Sequence, residues 1–310
     1  MTGALLAADL PWLLYRSFFA LPRSISDAKG RPVNALLGTV NALLNVIDSQ
    51  SPRCVLACTG AEEAVYRVAL YAPYHAHREP MPKELRRQWE LAPELLQGLG
   101  WTVAGSADLE ADDVMFSHAR KEEDEGGHAA IFTGDRDLYG AVSEAVSVLE
   151  VRKGGEVMEL RAEDVRGRYG VEPGQVADFI ALRGDPSDGL PGGRGIGAKT
   201  AAALLVAHGT LEVVLAEARA ICTDDAAAVR AKRGGAVMSA KTAAALDEQA
   251  ELLRTFKEVA TLQRIEVERP ADSGTDYAQG ARVAREHGMA RLSKRLSELA
   301  SAAASPASKE

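Results

Sequence analysis

Five acidic side chains stand at the ends of two neighbouring predicted elements, and their types suit metal chemistry. Three open a helical pattern and two follow a short apolar run; they are Glu110, Asp112, Asp113, Asp135 and Asp137. Acids brought together repel, and each raises the pKa of its neighbours unless a cation lies between them. A hard divalent metal with oxygen ligands resolves that repulsion. Helix-start acids and a turn acid explain either group alone equally well, so both interpretations stay open for each group.

Three further acids follow other predicted elements. Asp9 ends a predicted buried strand over residues 4–9. Because ligand sites in open parallel sheets form outside the carboxyl ends of the strands, Asp9 is well placed for chemistry. Asp185 and Asp188 lie in the loop after a predicted helix that starts near Gln175.

A glycine-rich stretch from Gly192 to Thr200 follows that loop and precedes another predicted helix. Glycines before a helix N-terminus let the backbone approach a phosphate, with free amides pointing at it. Lys199 and Thr200 can add side-chain contacts. The stretch lacks the spacing of a Walker motif, and a plain connector between helices is the alternative interpretation.

Residues 62–100 interleave aromatic and basic side chains. They include Tyr66, Arg67, Tyr71, Tyr74, His75, Arg78, Lys83, Arg86, Arg87 and Trp89. Such a segment suits single-stranded nucleic acid, because rings stack on bases while Arg and Lys contact phosphates. A solvated amphipathic helix with tyrosines packed on its edge is the alternative.

The elements that must position these side chains alternate between strand and helix through the first half of the chain. Apolar runs predict strands at 4–9, 53–58, 101–104 and 129–133, and a hairpin from 146–151 and 157–160. This alternation predicts an α/β fold with a mainly parallel central sheet flanked by helices. After about Arg161 the strand signals stop, and the remainder is predicted to be helical.

Composition places the chain among ordinary globular proteins. It has 310 residues, 46% of them hydrophobic and 26% charged. The net charge of −8 argues against a uniformly basic nucleic-acid surface but leaves room for local basic patches. Its three cysteines show no zinc-ligand spacing, which suggests a reducing compartment. No signal peptide or membrane-spanning run is recognised, so we expect a cytoplasmic protein with no membrane partner.

Taken in order, these motifs resemble the 5′ nuclease family, which comprises flap endonucleases and the 5′-to-3′ exonuclease domain of bacterial DNA polymerase I. The matches span residues 4–215 and are Asp9 with Tyr15-Arg16-Ser17-Phe18; Val33-Asn34 with Gly38; Tyr66-Arg67; Tyr74 with Arg78; Glu110-Ala111-Asp112-Asp113; Thr133-Gly134-Asp135-Arg136-Asp137-Leu138-Tyr139; Gly184-Asp185 with Ser187-Asp188 and Leu190-Pro191-Gly192; and Gly195-Ile196-Gly197 with Lys199-Thr200. Each motif alone is weak, whereas the full ordered set is specific. With no polymerase region following, the chain looks like a stand-alone member.

The resemblance implies a PIN-like 5′ nuclease fold in three parts. Residues 1–168 would form the nuclease core, with a helical arch or clamp at about 62–100 that admits a 5′ single strand. Residues 169–298 would form a helical duplex-binding region with a helix-three-turn-helix at about 175–208. Residues 299–310 would be a disordered tail.

The resemblance also implies a metal-dependent nuclease that cuts DNA at 5′ flaps, nicks and junctions, including RNA-primed 5′ ends, in replication and repair. Two divalent ions, magnesium or manganese, would be held by Asp9, Glu110, Asp112, Asp113, Asp135, Asp137, Asp185 and Asp188. Asp9, Asp113, Asp135 and Arg78 are the expected catalytic residues. The expected DNA contacts are Arg16, Arg67, Tyr74, His75, Arg78, Lys83, Arg86, Gly195, Ile196, Gly197, Lys199 and Thr200, with a potassium ion at the helix-three-turn-helix.

Four positions depart from the family pattern. Gly60 stands where an Asp is usual, His75 replaces a Lys, Leu10 replaces a Gly, and Gly189 replaces an Asn. Two other functions therefore remain in view. One is a junction-binding accessory protein with weakened catalysis, and the other is a PIN-like ribonuclease, against which the glycine-rich stretch counts.

Overall fold

A mostly parallel sheet of six strands forms the centre of the structure. The computed structural model describes residues 3–152, 155–223 and 238–304. The strands are β1 (Leu5–Asp9), β2 (Cys54–Thr59), β3 (Thr102–Gly105), β4 (Ala129–Phe132), β5 (Val146–Val151) and β6 (Val157–Leu160). Their order is β3-β2-β1-β4-β5-β6. Only the β5–β6 pair among them is antiparallel, which confirms the predicted sheet and hairpin.

The strand order places two of the predicted acidic segments side by side. β1 lies between β2 and β4, with Ala8 opposite Phe132. Both strands run in the same direction, so Asp9 and the Thr133–Asp137 segment leave the sheet at the same edge. The strand order reverses at β1, because β2 and β3 lie on one side of it and β4 to β6 on the other. Doubly wound sheets open a crevice for ligands at such a point.

Helices cover both faces of this sheet and account for more than half of the other residues that the structure describes. In the first half they are α1 (Leu10–Ala20), α2 (Asn34–Gln50), α3 (Val65–Leu70), α4 (Lys83–Gly98) and α5 (Ala111–Asp124). In the second half they are α6 (Ala162–Tyr169), α7 (Val176–Arg183), α8 (Ala198–His208), α9 (Leu211–Thr223), α10 (Ala240–Glu248), α11 (Ala250–Ala260), α12 (Tyr277–Glu286) and α13 (Ala290–Ala304).

Two apolar cores lie on opposite faces of the sheet, as the alternation of β1 requires. Leu5 and Ala7 point into a core that α5 shares with α7 to α11. Leu6 and Ala8 point into a second core with α1, α2, α4, α12 and α13. Every residue of β1 is buried. A strand buried on both faces explains its unbroken apolar sequence.

The second half of the predicted arch is a core helix. Leu85, Leu95 and Leu96 of α4 are each at most 1% exposed, and they pack in the second core. Its polar Gln88 is fully buried and accepts a hydrogen bond from the backbone N–H of Ala35 at 2.8 Å. Residues 83–98 are therefore a helix packed in the core rather than the solvated helix named as the alternative, and the arch stays a prediction.

An extended segment, residues 261–276, returns the chain from α11 to the first half of the molecule; we call it the C-terminal strap. Ile265 donates its backbone N–H to Ser117 Oγ of α5 at 3.0 Å, and Asp276 donates its own to Leu99 O at 2.8 Å. The strap delivers α12 and α13 to the nuclease half, onto α4 and the second core, so these two helices lie apart from the predicted duplex-binding helices.

Helix α13 continues to Ala304, so residues 299–304 are helical and not part of the predicted tail, and residues 305–310 lie outside the described residues. No single helix within the described ranges has the length and apolar character to cross a membrane. Helices α8 and α9 reach that composition only as a pair bent by 92°.

Candidate functional site

A cavity of about 650 Å³ opens at the sheet edge where β1 and β4 end. Its lining includes five acids, which we call the acidic wall: Asp9, Glu110, Asp112, Asp135 and Asp188. It also includes five aromatic side chains, which we call the aromatic wall: Trp12, Tyr15, Phe19, Tyr74 and Trp89. The structure thus brings together acids that are up to 179 positions apart in the chain, from Asp9 to Asp188.

Hydrogen bonds fix Asp9 at the base of this cavity. Its Oδ1 caps α1 by accepting the backbone N–H of Trp12 at 2.9 Å. Its Oδ2 accepts the Thr133 hydroxyl at 2.7 Å, and Thr133 Oγ1 in turn accepts the backbone N–H of Asp135 at 2.9 Å. Asp135 Oδ1 then accepts the N–H of Asp137 at 2.9 Å. One chain of hydrogen bonds therefore sets the positions of both aspartates.

Four aspartates at this sheet edge keep their protons more tightly than ordinary carboxylates: Asp9, Asp112, Asp135 and Asp137. Burial raises the pKa of Asp9 to about 6, and the Asp135 charge adds to this. Burial also raises the pKa of Asp112 well above its ordinary range, with Asp135, Asp9 and Glu110 contributing repulsion. The pKa of Asp137 is raised in the same way by burial and by Asp135, Asp188 and Asp185. This group is therefore short of positive charge.

The donor set fits a divalent cation in its chemistry, because carboxylate oxygens are the ligands that Mg²⁺ and Mn²⁺ prefer. Uncompensated acids that repel one another also gain from a cation placed between them. The spacing is looser than a closed metal site. In the part of the chain that the structure describes, no three His, Cys, Asp or Glu side chains approach closely enough to hold an ion.

The loop between α7 and α8 contributes the last two predicted acids. Asp185 Oδ1 accepts the Ser187 N–H at 2.9 Å, and its Oδ2 lies 3.0 Å from Arg183 Nη2. Asp188 reaches the cavity from the same loop. Its Oδ1 lies 3.0 Å from His75 Nε2 and 3.3 Å from Arg78 Nη2, which ties this loop to residues 71–78.

Two predicted ligands are held by Arg67. Asp113 is fully buried, and both its oxygens accept hydrogen bonds from the Arg67 guanidinium, at 2.7 and 2.8 Å. It does not line the cavity. Glu110 lines the cavity, but its oxygens accept bonds from Ala64 N at 2.8 Å and Tyr74 OH at 3.0 Å, with Arg67 Nη1 at 3.1 Å. As placed here, Asp113 is an ion-pair partner outside the acidic wall.

The predicted DNA contacts of residues 62–100 fall into two sets. Arg67, Tyr74 and His75 are buried, at 3%, 4% and 2% exposure, and their polar atoms bind acids of the protein. In this arrangement they do not face a phosphate. The predicted contacts Arg78, Lys83 and Arg86 are exposed, as is Arg16 of α1, so these four can reach a phosphate.

The glycine-rich stretch forms the turn before α8, as the sequence indicated. Gly195, Gly197 and Lys199 are exposed, whereas Ile196 is 6% exposed and anchors the turn in the first core. Gly197 begins α8 without a side-chain cap, so the first amides of the helix point outward. Thr200 is half-buried within the first turn. This is a geometry that suits a phosphate.

The structure also shows what lies beside Gly60. A Cβ at this position would meet Leu109 O at 2.4 Å and Ala111 N at 2.7 Å. The backbone entering α5 therefore occupies the place of a side chain. Glu62 lines the cavity but does not fill this place, because its carboxylate lies 3.4 Å from Arg86 and half of its side chain is exposed.

Two other departures from the family pattern meet in space. His75 donates its backbone N–H to Asp188 O at 3.3 Å. Gly189, which follows Asp188 in the chain, has φ +76°, and a Cβ there would lie 2.9 Å from Pro73 O. Residues 71–78 and 185–190 are thus in close contact because position 189 lacks a side chain.

Sequence reasoning missed three contributors to this site. Thr133 was noted only as part of a motif, although its spacing from Asp135 is that of a serine/threonine turn. The convergence of Trp12 and Trp89 on one wall had no local signal, since the two lie 77 positions apart. The pairing of Arg67 with Asp113 also had none, because the two are separated by 46 positions.

Two family models match this chain in sequence. The 5′-3′ exonuclease, N-terminal resolvase-like domain, matches residues 4–170. The 5′-3′ exonuclease, C-terminal SAM fold, matches residues 171–279. Together the two matches cover most of the chain, and they meet between α6 and the turn that precedes α7.

Similar proteins include both long and short relatives. The chain is 36% identical over 253 residues to DNA polymerase I of Mycobacterium leprae, which covers 81% of this chain and 27% of the polymerase. It is 36% identical over 239 residues to a 5′-3′ exonuclease of Mycobacterium tuberculosis, covering 70% of this chain and 74% of that protein. The chain thus spans about a quarter of the length of the polymerases that it matches.

Among solved structures, the fold resembles the bacteriophage T5 flap endonuclease in a pseudo-enzyme-product complex with DNA and metal ions. The TM-score is 0.64 at 18% sequence identity, with 96% of this chain and 99% of that chain covered. The likeness extends over the sheet and the C-terminal helices.

Proposed function

Because this chain belongs to the 5′-3′ exonuclease family, we propose that it is a metal-dependent nuclease that hydrolyses DNA phosphodiesters at 5′ flaps, nicks and single-strand/duplex junctions. The observation that carries this proposal is the cavity at the end of β1 and β4, where Asp9, Asp112, Asp135 and Asp188 face one another. Such a cluster of mutually repelling acids is costly for a fold and makes chemical sense as a cation site.

Two divalent ions, magnesium or manganese, are the proposed cofactors. Asp9, Asp112 and Asp135 would hold one, and Asp137, Asp185 and Asp188 would hold or approach the other. Ions held there would supply positive charge to the scissile phosphate and would lower the pKa of a bound water. The protein itself contributes the hydrogen-bond chain from Asp9 through Thr133 to Asp135, which keeps these carboxylates oriented. Arg78, exposed at the cavity, is available to the phosphate.

DNA would be recognised through its backbone rather than its sequence. The aromatic wall of the cavity suits unpaired bases, which stack on rings without regard to identity. The turn before α8 presents free amides with Lys199, a combination that suits duplex phosphates and, in our proposal, a potassium ion. RNA-primed 5′ ends belong to the same substrate class.

The test is cleavage of a labelled 5′-flap duplex by the purified chain with MgCl₂ or MnCl₂. We expect cutting near the junction, its loss with EDTA, and a loss of at least about a hundredfold in Asp135→Asn. Asp108→Asn is the matched control, since Asp108 is an exposed acid outside the cavity. An uncut flap, or equal activity in the two variants, would reject the proposal. RNA flaps cut faster than DNA flaps would favour a ribonuclease.

A second candidate is a junction-binding protein with weakened catalysis. It is favoured by the closed backbone at Gly60, which leaves no room for the usual aspartate, and by the loose spacing of the remaining acids. Junction binding at nanomolar concentration without turnover in either metal would identify it. Turnover by the wild type that Asp135→Asn abolishes would exclude it.

A further inference from the structure

Asp112 and Asp113 are neighbours in α5, yet they face different parts of the molecule. Successive residues of an α-helix point about 100° apart, so two adjacent side chains cannot share one small site easily. Asp112 lines the cavity. Asp113 points into the interior, where its side chain is 0% exposed.

Both oxygens of the Asp113 carboxylate accept hydrogen bonds from the protein. Arg67 of α3 donates Nη2–H to Oδ1 at 2.7 Å and Nη1–H to Oδ2 at 2.8 Å. The backbone N–H of Gln263, in the C-terminal strap, donates to Oδ1 at 2.8 Å. A bidentate guanidinium pair of this kind is strong and geometrically specific. Metal ligation by Asp113 would require this buried pair to break.

Arg67 connects three separate parts of the chain. In addition to its bonds with Asp113, Arg67 donates Nε–H to Val259 O, at the end of α11, at 2.9 Å. The neighbouring Tyr71 ring packs edge-to-face on Phe256 of α11, with centroids 5.1 Å apart. The Arg67 guanidinium therefore joins α3, α5 and α11, and the strap reaches the same Asp113 carboxylate. Arg67 is 3% exposed.

Helix α11 in turn contacts α7, the helix that precedes the glycine-rich turn. Lys257 Nζ of α11 lies 2.6 Å from Asp178 Oδ1 of α7, and Asp178 is 4% exposed. A continuous set of contacts thus runs from the proposed duplex-binding turn through α7 and α11 to Arg67, and from Arg67 to the start of α5, where Asp112 faces the cavity.

We propose that Asp113 is not a metal ligand, and that Arg67 and Asp113 form a positioning pair that holds Asp112 in register with the duplex-binding half. This inference rests on the proposed function, since it assigns roles within that site. It removes one acid from the expected ligand set and gives the arch-side Arg67 a role inside the protein rather than on DNA.

The first experiment measures Mn²⁺ binding to the full chain by isothermal titration calorimetry, independently of cleavage. Asp112→Asn should weaken Mn²⁺ binding at least about tenfold. Asp113→Asn and Arg67→Met should each change the Mn²⁺ affinity by less than about threefold. The double variant Arg67→Met/Asp113→Asn should bind Mn²⁺ no more weakly than the weaker-binding single variant, because either substitution alone already removes the pair. A tenfold loss in Asp113→Asn, with and without Arg67→Met, would overturn the proposal.

The second experiment asks whether the pair transmits duplex binding to the cavity. The cleavage rate of the wild type is measured on a 5′-flap duplex and on the flap strand alone, as single-stranded DNA. Arg67→Met should reduce the ratio of these two rates at least about tenfold at a temperature where it remains folded. Simple destabilisation would lower both rates together and leave the ratio unchanged, which would contradict the positioning role.

Should either variant fail to fold, Arg67→Lys tests the same idea. Its ammonium keeps the charge but not the bidentate contact, so Mn²⁺ affinity should stay within threefold while the ratio falls. A tenfold loss of Mn²⁺ affinity, or an unchanged ratio, would count against the pair. If the wild type cuts neither substrate, the nuclease proposal fails, and the Mn²⁺ comparison still decides whether Asp113 is a ligand.

Discussion

The carboxylate of Asp9 is subject to opposing influences that a metal ion would resolve. Burial raises its pKa, while hydrogen bonds from Thr133 and from Trp12 N lower it. The net result, a pKa of about 6 instead of 3.8, means that the folded protein holds this proton more tightly than the unfolded chain does. Between these two values the native state binds more protons, so its stability falls as the pH rises.

A pH-dependent effect of metal on stability follows from this. Without metal, the free energy of unfolding should decrease from about pH 4 to above pH 6 through the Asp9 contribution, because ionised Asp9 is disfavoured in the fold. A divalent ion binds the ionised form, so saturating MgCl₂ should raise the melting temperature more at about pH 7.5 than at about pH 5. Thermal unfolding with MgCl₂ and with EDTA at both pH values measures this.

Asp9→Asn provides the comparison for that prediction. The amide does not titrate, so the difference between the two pH values should shrink in this variant. An equal metal-induced rise in melting temperature at both pH values in the wild type would contradict the account.

Residue identities alone predicted part of this site. The acids at the ends of β1 and β4 could be placed together because parallel strands end at one sheet edge. The separate direction of Asp113 was also within reach of helical geometry, but its partner was not. Arg67 was interpreted as a DNA contact because an Arg among tyrosines has no local feature that distinguishes a surface cation from a buried one.

At the scale of elements, the sequence located the strands well. β4, β5 and β6 lie within one residue of the runs that predicted them, because continuous apolar segments bounded by polar turns leave little choice. Helix α4 is the main exception. Its many charged residues concealed a buried stripe at Leu85, Leu95 and Leu96, although their helical spacing is present in the sequence.

The contact between the loop after β2 and the start of α5 predicts the outcome of restoring the missing aspartate. Gly60→Asp would place a Cβ 2.4 Å from Leu109 O, closer than real Cβ atoms come to other atoms. The backbone at 109–111 would have to move, and Asp112 with it. We expect a loss of stability of about 1–3 kcal/mol and no gain in Mn²⁺ affinity or cleavage rate.

Urea unfolding, Mn²⁺ titration and flap cleavage test Gly60→Asp against Gly174→Asp. Gly174 is a suitable control, since a Cβ there would meet nothing within 4 Å and its φ is not positive. Higher metal affinity at unchanged stability in Gly60→Asp would show that the loop can open for this side chain, contrary to our expectation.

At the scale of the whole molecule, the C-terminal strap joins parts of the chain that are distant in sequence, and no local pattern revealed it. Arg53, at the start of β2, donates to Glu122 Oε1 of α5 at 3.0 Å, and to Pro270 O and Asp272 Oδ1 of the strap, both at 2.7 Å. Arg269 of the strap also binds Glu122, at 2.8 Å. Contacts that join residues more than 200 positions apart lie beyond the reach of periodicity, which explains why the strap and its two helices were not assigned to the nuclease half.

Removing Arg53 should therefore affect the whole fold rather than one element. Its side chain is 3% exposed and that of Glu122 is 0% exposed, so Arg53→Met leaves a buried carboxylate with Arg269 alone as its cation. Breaking a buried pair typically costs about 3–5 kcal/mol, and the remaining Arg269 contact places our expectation near the lower end, about 3 kcal/mol. Urea unfolding should show this loss as a lower midpoint.

Arg264→Met is the matched control for that change, because Arg264 lies in the same strap and pairs with Asp124 of the same helix α5, but with both side chains about half exposed. An exposed pair contributes less than about 1 kcal/mol, so Arg264→Met should unfold close to the wild-type midpoint. Equal losses in the two variants would mean that the strap contributes through backbone packing alone. A larger loss in Arg53→Met, with one cooperative transition, would mean that the buried charges join the strap, β2 and α5 into a single folding unit.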